Sequence, residues 1–211
     1  MRKDKNITWS ANFAYAIGLF VADGSLSKDG RHLDFTSKDL DQIENFLSCI
    51  AVKAPITTKS SGTAKFKKVY FDTQFSDVVL FRFLNAIGIE NNKSLSIKDV
   101  AVPDKYFADF LRGLLDGDGS ISILMHPESK QKQVKMRFAS ASDSFLEWLK
   151  SKNLSLAKAT GGHTTRSTRC RQLTYGKEDS ITLIKYMYYT PEVICLRRKF
   201  DIAKSVLDLQ N

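Results

Sequence analysis

Residues 111–120 read Leu-Arg-Gly-Leu-Leu-Asp-Gly-Asp-Gly-Ser, and residues 16–25 read Ala-Ile-Gly-Leu-Phe-Val-Ala-Asp-Gly-Ser. Gly18, Leu19, Asp23, Gly24 and Ser25 return as Gly113, Leu114, Asp118, Gly119 and Ser120, at a constant offset of 95. Two copies are too few for a solenoid. In a chain of 211 residues they point to a duplicated unit, with room for two domains of about 100 residues each.

Each copy reads as the end of a helix. Gly18 and Ala22 are four apart, as are Gly113 and Gly117, and residues four apart share a helix face. Small side chains there let two helix backbones approach closely. Because glycine inside a helix costs up to about 1 kcal/mol relative to alanine, a packing role is expected, with Gly18, Ala22, Gly113 and Gly117 forming a helix–helix interface. Asp23 and Asp118 then fall at the C-terminal ends of these helices, with Gly24 and Gly119 expected as C′ caps. A carboxylate there faces the negative end of the helix dipole, and two such carboxylates brought together repel. A divalent cation relieves both problems. Mg²⁺ takes carboxylate, water and phosphate oxygens, and backbone carbonyls near Ala22 and Gly117 offer further ligands.

The flanking sequence repeats more loosely. A hairpin-like stretch follows each motif, Ser25–Lys38 with the turn signal Asp29-Gly30 and Ser120–Ser140 with Pro127 in its loop. Helices are expected over 39–50 and 143–152, with Asp39 and Asp143 as N-caps. Strands follow at 54–60 with 66–73 and at 154–160 with 168–175, then closing helices near 75–86 and 178–188. The fold class is therefore α+β, a tandem αββαββα repeat. Its units are residues 1–92 and 106–211, joined by a linker over 93–105.

Charge points to a polyanionic partner. The chain carries 32 basic and 23 acidic residues, a net charge of +9. Between Lys130 and Arg171 ten basic residues face only Asp143 and Glu147, an excess of eight that accounts for most of that net charge. Strand alternation places Leu33, Phe35, Val69, Phe71, Val134, Met136 and Phe138 inward. Outward it leaves His32, Asp34, Thr36, Lys68, Tyr70, Asp72, Gln133, Lys135 and Arg137. Lys38, Ser120, Ser122, Arg166, Arg169 and Arg171 join them as candidate contacts. Lys and Arg suit guanine edges and phosphates, and Gln pairs with adenine.

Several chemistries are excluded. Cys49, Cys170 and Cys195 are odd in number and widely spaced, which speaks against a disulfide framework or a zinc ribbon. Asp116-Gly-Asp118-Gly lacks the acids of a calcium loop, whose twelfth position would be Pro127. There is no P-loop and no GxGxxG, and His32, His126 and His163 are isolated. No apolar run approaches a membrane span and no signal peptide is evident. An intracellular protein of a prokaryotic cytoplasm or an organelle is expected.

Residues 111–119, LRGLLDGDG, closely resemble the motif of the LAGLIDADG homing endonucleases. Residues 16–24, AIGLFVADG, resemble it with Val21 where that family often has an acid. The segments 88–94 and 196–199 are similar to the family's inter-repeat and late sequences. The resemblance implies a single-chain, pseudo-two-fold monomer whose motif helices form the interface between halves, with four antiparallel strands per half making a saddle over the DNA major groove. It implies that Asp23 and Asp118 ligate Mg²⁺, with Mn²⁺ as a substitute and Ca²⁺ binding without supporting cleavage. It further implies that Lys93 and either Arg198 or Lys199 act near the scissile phosphates. At about 3.3 Å per residue and 3.4 Å per base step, the implied target is on the order of 20 base pairs, cut to short 3′ overhangs. An intron RNA maturase and a non-cleaving DNA-binding regulator are the rival readings of the same fold.

Overall fold

A computed structural model describes residues 7–61, 68–125, 128, 131–166 and 170–209. The first motif closes helix α1, Ala11–Asp23, whose N-cap Ser10 accepts a hydrogen bond from the Phe13 amide at 3.1 Å. Strands β1 (Gly24–Leu26) and β2 (His32–Ser37), helix α2 (Leu40–Cys49), strands β3 (Ile56–Ser61) and β4 (Lys68–Ser76) and helix α3 (Val78–Ala86) complete the first unit. A short helix α4, Lys93–Ser96, and a single 3₁₀ turn, Asp104–Tyr106, lead to the second motif helix α5, Phe107–Asp116. The second unit repeats the order. It has β5 (Gly119–Met125), β6 (Lys132–Ser140), α6 (Asp143–Ala157), β7 (His163–Arg166), β8 (Arg171–Tyr175) and α7 (Lys177–Met187), and ends in α8, Arg197–Asp208.

Each unit holds one four-stranded antiparallel sheet, in the order β1-β2-β4-β3 and β5-β6-β8-β7. The fold is the expected α+β duplication. Helices cover one face of each sheet. Leu33, Phe35, Val134, Met136, Phe138, Leu173 and Tyr175 are buried beneath them, so the alternation read from the sequence places the core correctly over β2 and β6. Aromatic clusters fill both units. Trp9, Phe13 and Phe83 meet at ring distances of 5.5–5.6 Å, and Trp148 meets Phe107, Phe110 and Phe145 at 5.4–5.9 Å. Among the described residues no helix is long and apolar enough to cross a membrane.

Several local expectations are corrected. Residues 154–157 continue α6 instead of forming a strand, and the helix ends where Lys158 adopts the left-handed conformation at φ 63°. The strand of that region is β7, further along. The 93–105 linker is packed against the rest of the chain, with Lys93, Ile97, Val100 and Val102 buried. Asp39 makes no side-chain cap on α2, and α6 is capped by Ser142, which accepts from the Phe145 amide at 3.3 Å. Gly24 and Gly119 are not left-handed caps either. Gly24 is extended and opens β1, and a Cβ there would lie 2.2 Å from the Phe20 ring. At Gly119 a Cβ would lie 2.6 Å from the Leu115 Cα. These glycines let the chain turn from helix to strand without a side chain colliding with the motif helix.

Candidate active site at the helix crossing

α1 and α5 pack on each other more extensively than any other pair of elements. The stripe of small residues explains why. A Cβ on Gly18 would lie 2.1 Å from the Phe110 carbonyl oxygen, and a Cβ on Gly113 would lie 2.1 Å from that of Tyr15. Near the helix ends a Cβ on Gly117 would lie 2.3 Å from the Ala22 Cβ and 3.1 Å from Asp23 Oδ2. The carboxylate of one motif thus sits against the backbone of the other.

Asp23 is half-buried and Asp118 more exposed. Burial, and secondarily the charge of Asp118, raise the Asp23 pKa from 3.8 to about 7, against the opposing pull of Lys199, Lys93 and Gln42. Asp118 is also pushed upward by desolvation of its carboxyl, although the residue as a whole is open to solvent, and Lys199 and Lys93 oppose the shift. Gln42 orients Asp23. Its Oε1 accepts from Ser37 Oγ at 2.8 Å, which turns the amide nitrogen toward Asp23 Oδ2 at 3.4 Å.

Two buried lysines complete the cluster, one beside each motif. Lys93 begins α4 and donates to the Gly24 carbonyl, with the Phe20 ring 5.5 Å away. Lys199, in the first turn of α8, donates to the carbonyls of Leu115 (2.6 Å), Asp116 (2.8 Å), Gly117 (3.1 Å) and Gly119 (2.8 Å). It therefore binds the carbonyl ends that α5 leaves without intrahelical partners. Desolvation lowers both lysines to about 8. A cavity of about 70 Å³ opens between the halves, lined by Val21, Ala22, Lys93, Asp118 and Ser140 among others. It has room for a water-sized group beside a lysine and a carboxylate.

The structure separates Arg198 from Lys199. Arg198 points away and forms an exposed, two-pronged ion pair with Asp39, 2.7 Å at its shortest. The Gly117 carbonyl is not free, because Lys199 occupies one of its lone pairs. Among the described residues no group of three or more His, Cys, Asp or Glu side chains could hold a metal ion. The donor set at the crossing is two carboxylates. That suits a hard divalent cation completed by water and phosphate oxygens, and not a zinc cage of nitrogen and sulfur ligands.

Sequence reasoning missed two buried charges on α5 that place Lys199. Arg112, fully buried, donates to the carbonyls of Met187 (2.6 Å) and Ile194 (2.8 Å) and pairs with Asp109 at 2.7 Å. Asp116, also fully buried, accepts from the Leu196 amide (2.7 Å) and the Tyr15 hydroxyl (2.8 Å). Together they fix residues 187–196, and so the start of α8. The signal was available as three charged positions, Asp109, Arg112 and Asp116, in a motif helix that is otherwise apolar.

The open sheet faces carry most of the other candidates. His32, Asp34 and Thr36 on β2, and Gln133, Lys135 and Arg137 on β6, alternate with buried neighbours. Ser120 and Ser122 lie opposite Arg137 and Lys135 and share their face. Lys68 is exposed at the start of β4, and Tyr70 lies beneath Lys38, 5.9 Å from the ring centre. Val69 is 55 % exposed instead of buried, because β4 there runs past the edge of the core. Asp72 is on the open face but only 5 % exposed, covered by Lys59. Arg171 pairs with Leu173 and Tyr175 in parity, which puts it on the helix side, and it forms an ion pair with Asp143 at 2.5 Å. Arg166, opposite Arg171, shares that side. Arg169 lies outside the described residues. Lys59, Gln74 and Gln172 are on the open faces and were missed, Gln74 because β4 runs past the expected strand end at residue 73, and Lys59 and Gln172 because no alternation was read on their strands.

No protein-family model matches the chain, and no curated protein matches it by sequence. Solved structures do. The homing endonuclease I-WcaI bound to its DNA recognition sequence aligns with a TM-score of 0.68 at 15 % identity, over 93 % of this chain and 89 % of that one. The meganuclease I-SmaMI bound to uncleaveable DNA aligns at 0.63 and 14 %, over 95 % and 92 %. Full-length DUF199/WhiA from Thermatoga maritima aligns at 0.58 and 15 %, with this chain spanning 63 % of its length. The fold and the helix crossing define a duplicated α+β saddle protein. More particularly, the chain has the two-motif LAGLIDADG fold. At these identities the likeness establishes the fold alone.

Proposed function

We propose that this protein is a monomeric, metal-dependent, site-specific endonuclease that cuts both strands of a duplex DNA target on the order of 20 base pairs long. The observation that carries this reading is the meeting of Asp23 and Asp118, one from each half, at the α1–α5 crossing between two open sheets, with a buried lysine beside each motif. The DNA-bound endonucleases of the same fold support it. An intracellular setting, in a prokaryotic cytoplasm or an organelle, belongs to the same reading.

Asp23 and Asp118 would hold Mg²⁺ or Mn²⁺, and Ca²⁺ without turnover. Bound metal supplies an activated water and a counter-charge for the leaving 3′ oxygen. The protein's own groups do the rest. Gln42 fixes the Asp23 carboxylate. Lys93 and Lys199 hold positive charge where two phosphates must approach, each anchored to backbone carbonyls so that its position is set before DNA arrives. The open sheet faces bind the groove and fix which phosphates lie over the helix ends. Short 3′ overhangs follow if both cuts fall across one minor groove.

The test is to incubate the full chain with a randomised-site duplex library in Mg²⁺ or EDTA and sequence the new ends. Discrete breaks with a fixed stagger in Mg²⁺ alone support the reading. Selective binding with no breaks in Mg²⁺ or Mn²⁺ overturns it in favour of a binding protein.

A further inference from the structure

The two sheets can be overlaid strand by strand from their registers. Gly24 pairs with Phe35, and Gly119 pairs with Phe138. Counting from these equivalent glycines, Asp34 stands where Arg137 stands, and His32 where Lys135 stands. On the next strand Gln74 matches Thr174, because they face Asp34 and Arg137, and Asp72 matches Gln172, because they face Thr36 and Ala139. The residue one step along the sheet from the motif is therefore acidic in one half and basic in the other.

The acid is held in place. Lys59 Nζ lies 3.2 Å from Asp34 Oδ2 and 2.5 Å from Asp72 Oδ1. Thr36 Oγ1 donates to Asp72 Oδ1 at 2.8 Å and is 3.2 Å from Asp34 Oδ1. Two carboxylates and one ammonium leave this cluster one negative charge, where the other half presents the positive charge of Arg137. Asp72 is nearly covered, but the Asp34 side chain is 27 % exposed, and an ionised carboxylate has about four acceptor sites, so open ones remain. Arg137 is steadied on its own side by Ser122 Oγ at 3.3 Å. Lys59 offsets part of the Asp34 charge, which lets a carboxylate sit in a groove flanked by phosphates.

We propose that Asp34 and Arg137 are opposed specificity determinants at register-equivalent positions of the two half-sites, Asp34 selecting cytosine through its amino group and Arg137 selecting guanine. The inference rests on the DNA-binding reading above. In the major groove cytosine presents a donor, whereas guanine presents two acceptors suited to a guanidinium fork. A carboxylate against guanine O6 and N7, or a guanidinium against the cytosine amino group, meets a group of its own kind. The two half-sites therefore differ at this step.

The experiment selects bound sequences from a randomised duplex library in EDTA, using the full chain and the Asp34→Ala, Asp34→Arg and Arg137→Ala variants. The wild type should enrich cytosine at one position and guanine at its register-equivalent, each on the order of tenfold. Asp34→Ala should level only the first, Arg137→Ala only the second, and Asp34→Arg should turn the first toward guanine. Unchanged melting temperatures and unchanged preferences elsewhere in the site show that the variants fold. A wild-type site with no preference at these positions, or Asp34 variants that leave the profile unaltered, overturns the proposal while the DNA-binding reading stands. No selective enrichment by the wild type at all removes both.

Discussion

Gly18 and Gly113 face each other across the α1–α5 crossing, each with no room for a Cβ: the nearest atom is a backbone carbonyl oxygen of the opposite helix, 2.1 Å from where that carbon would be. The relationship is reciprocal, Phe110 for one and Tyr15 for the other, as the 95-residue repeat demands. Everything at the site depends on it, because the same crossing sets the carboxylates side by side.

Substituting either glycine by alanine should therefore be severe. Overpacking a core costs about 1–3 kcal/mol when side chains can yield, and here the neighbour is helix backbone that cannot. Gly18→Ala or Gly113→Ala should lower the melting temperature by 10 °C or more, at roughly 2–4 °C per kcal/mol for a chain of this size, or abolish soluble expression. Ala22→Gly, at the looser end of the stripe, should be far milder.

The carboxylates themselves should cost stability. Asp23 and Asp118 are raised by burial and, for Asp23, by the other's charge. In metal-free protein at pH 7.5, Asp23→Asn should stabilise the fold by about 1–3 kcal/mol, allowing for solvent screening, and Asp118→Asn should shift stability in the same direction. Thermal melts in EDTA give the answer, and a loss of stability in both variants would contradict it.

The same groups set a pH dependence. Burial raises Asp23 to about 7 and Asp116 to about 6 from an ordinary 3.8. Between about pH 4 and 7 the folded chain keeps protons that the unfolded chain has released, so this contribution is full below pH 4 and is lost as pH rises through 6–7. Lys93 and Lys199, lowered to about 8, act only above that range, and there stability rises with pH. Asp39, held low by Arg198, acts only below pH 4. Metal-free protein should thus melt higher at pH 5.5 than at pH 7.5, and divalent metal should narrow the gap.

Lys199 and Arg198 should behave in opposite ways despite being neighbours. Lys199→Met removes the donor shared among four carbonyls, two buried and two part-buried, and should cost about 3 kcal/mol or more, with cleavage lost. Arg198→Ala breaks one exposed ion pair, worth about 0–1 kcal/mol, and should leave cleavage within a few-fold of the wild type. Comparable loss in both would misplace the active-site base.

The sequence made the duplication legible because the small-residue stripe and the Asp-Gly ends are local patterns with one steric meaning. What it hid was tertiary. Arg198 and Lys199 are both plausible cations on paper, and only the rotation of α8 against α5 decides between them. Residues 154–160 alternate like a strand, yet α6 runs to Ala157 because Leu149, Asn153 and Ala157 fall on one buried face. Arg112 and Asp116 carried no reading in the sequence, because only the fold shows that both are buried and bind the chain that carries Lys199. Arg171 looked like another groove cation until the register put it on the helix side, against Asp143.

The central claim is that one carboxylate from each half makes a single metal-dependent site for two strands. The most direct measurement is strand-resolved cleavage of the recovered target by wild type, Asp23→Asn and Asp118→Asn, with binding measured in parallel in Ca²⁺. The account predicts staggered cuts by the wild type in Mg²⁺, none in EDTA, and at least a hundredfold slower cleavage by either variant at near-normal affinity. Undiminished cleavage of both strands by either variant, or cleavage that persists in EDTA, would contradict it.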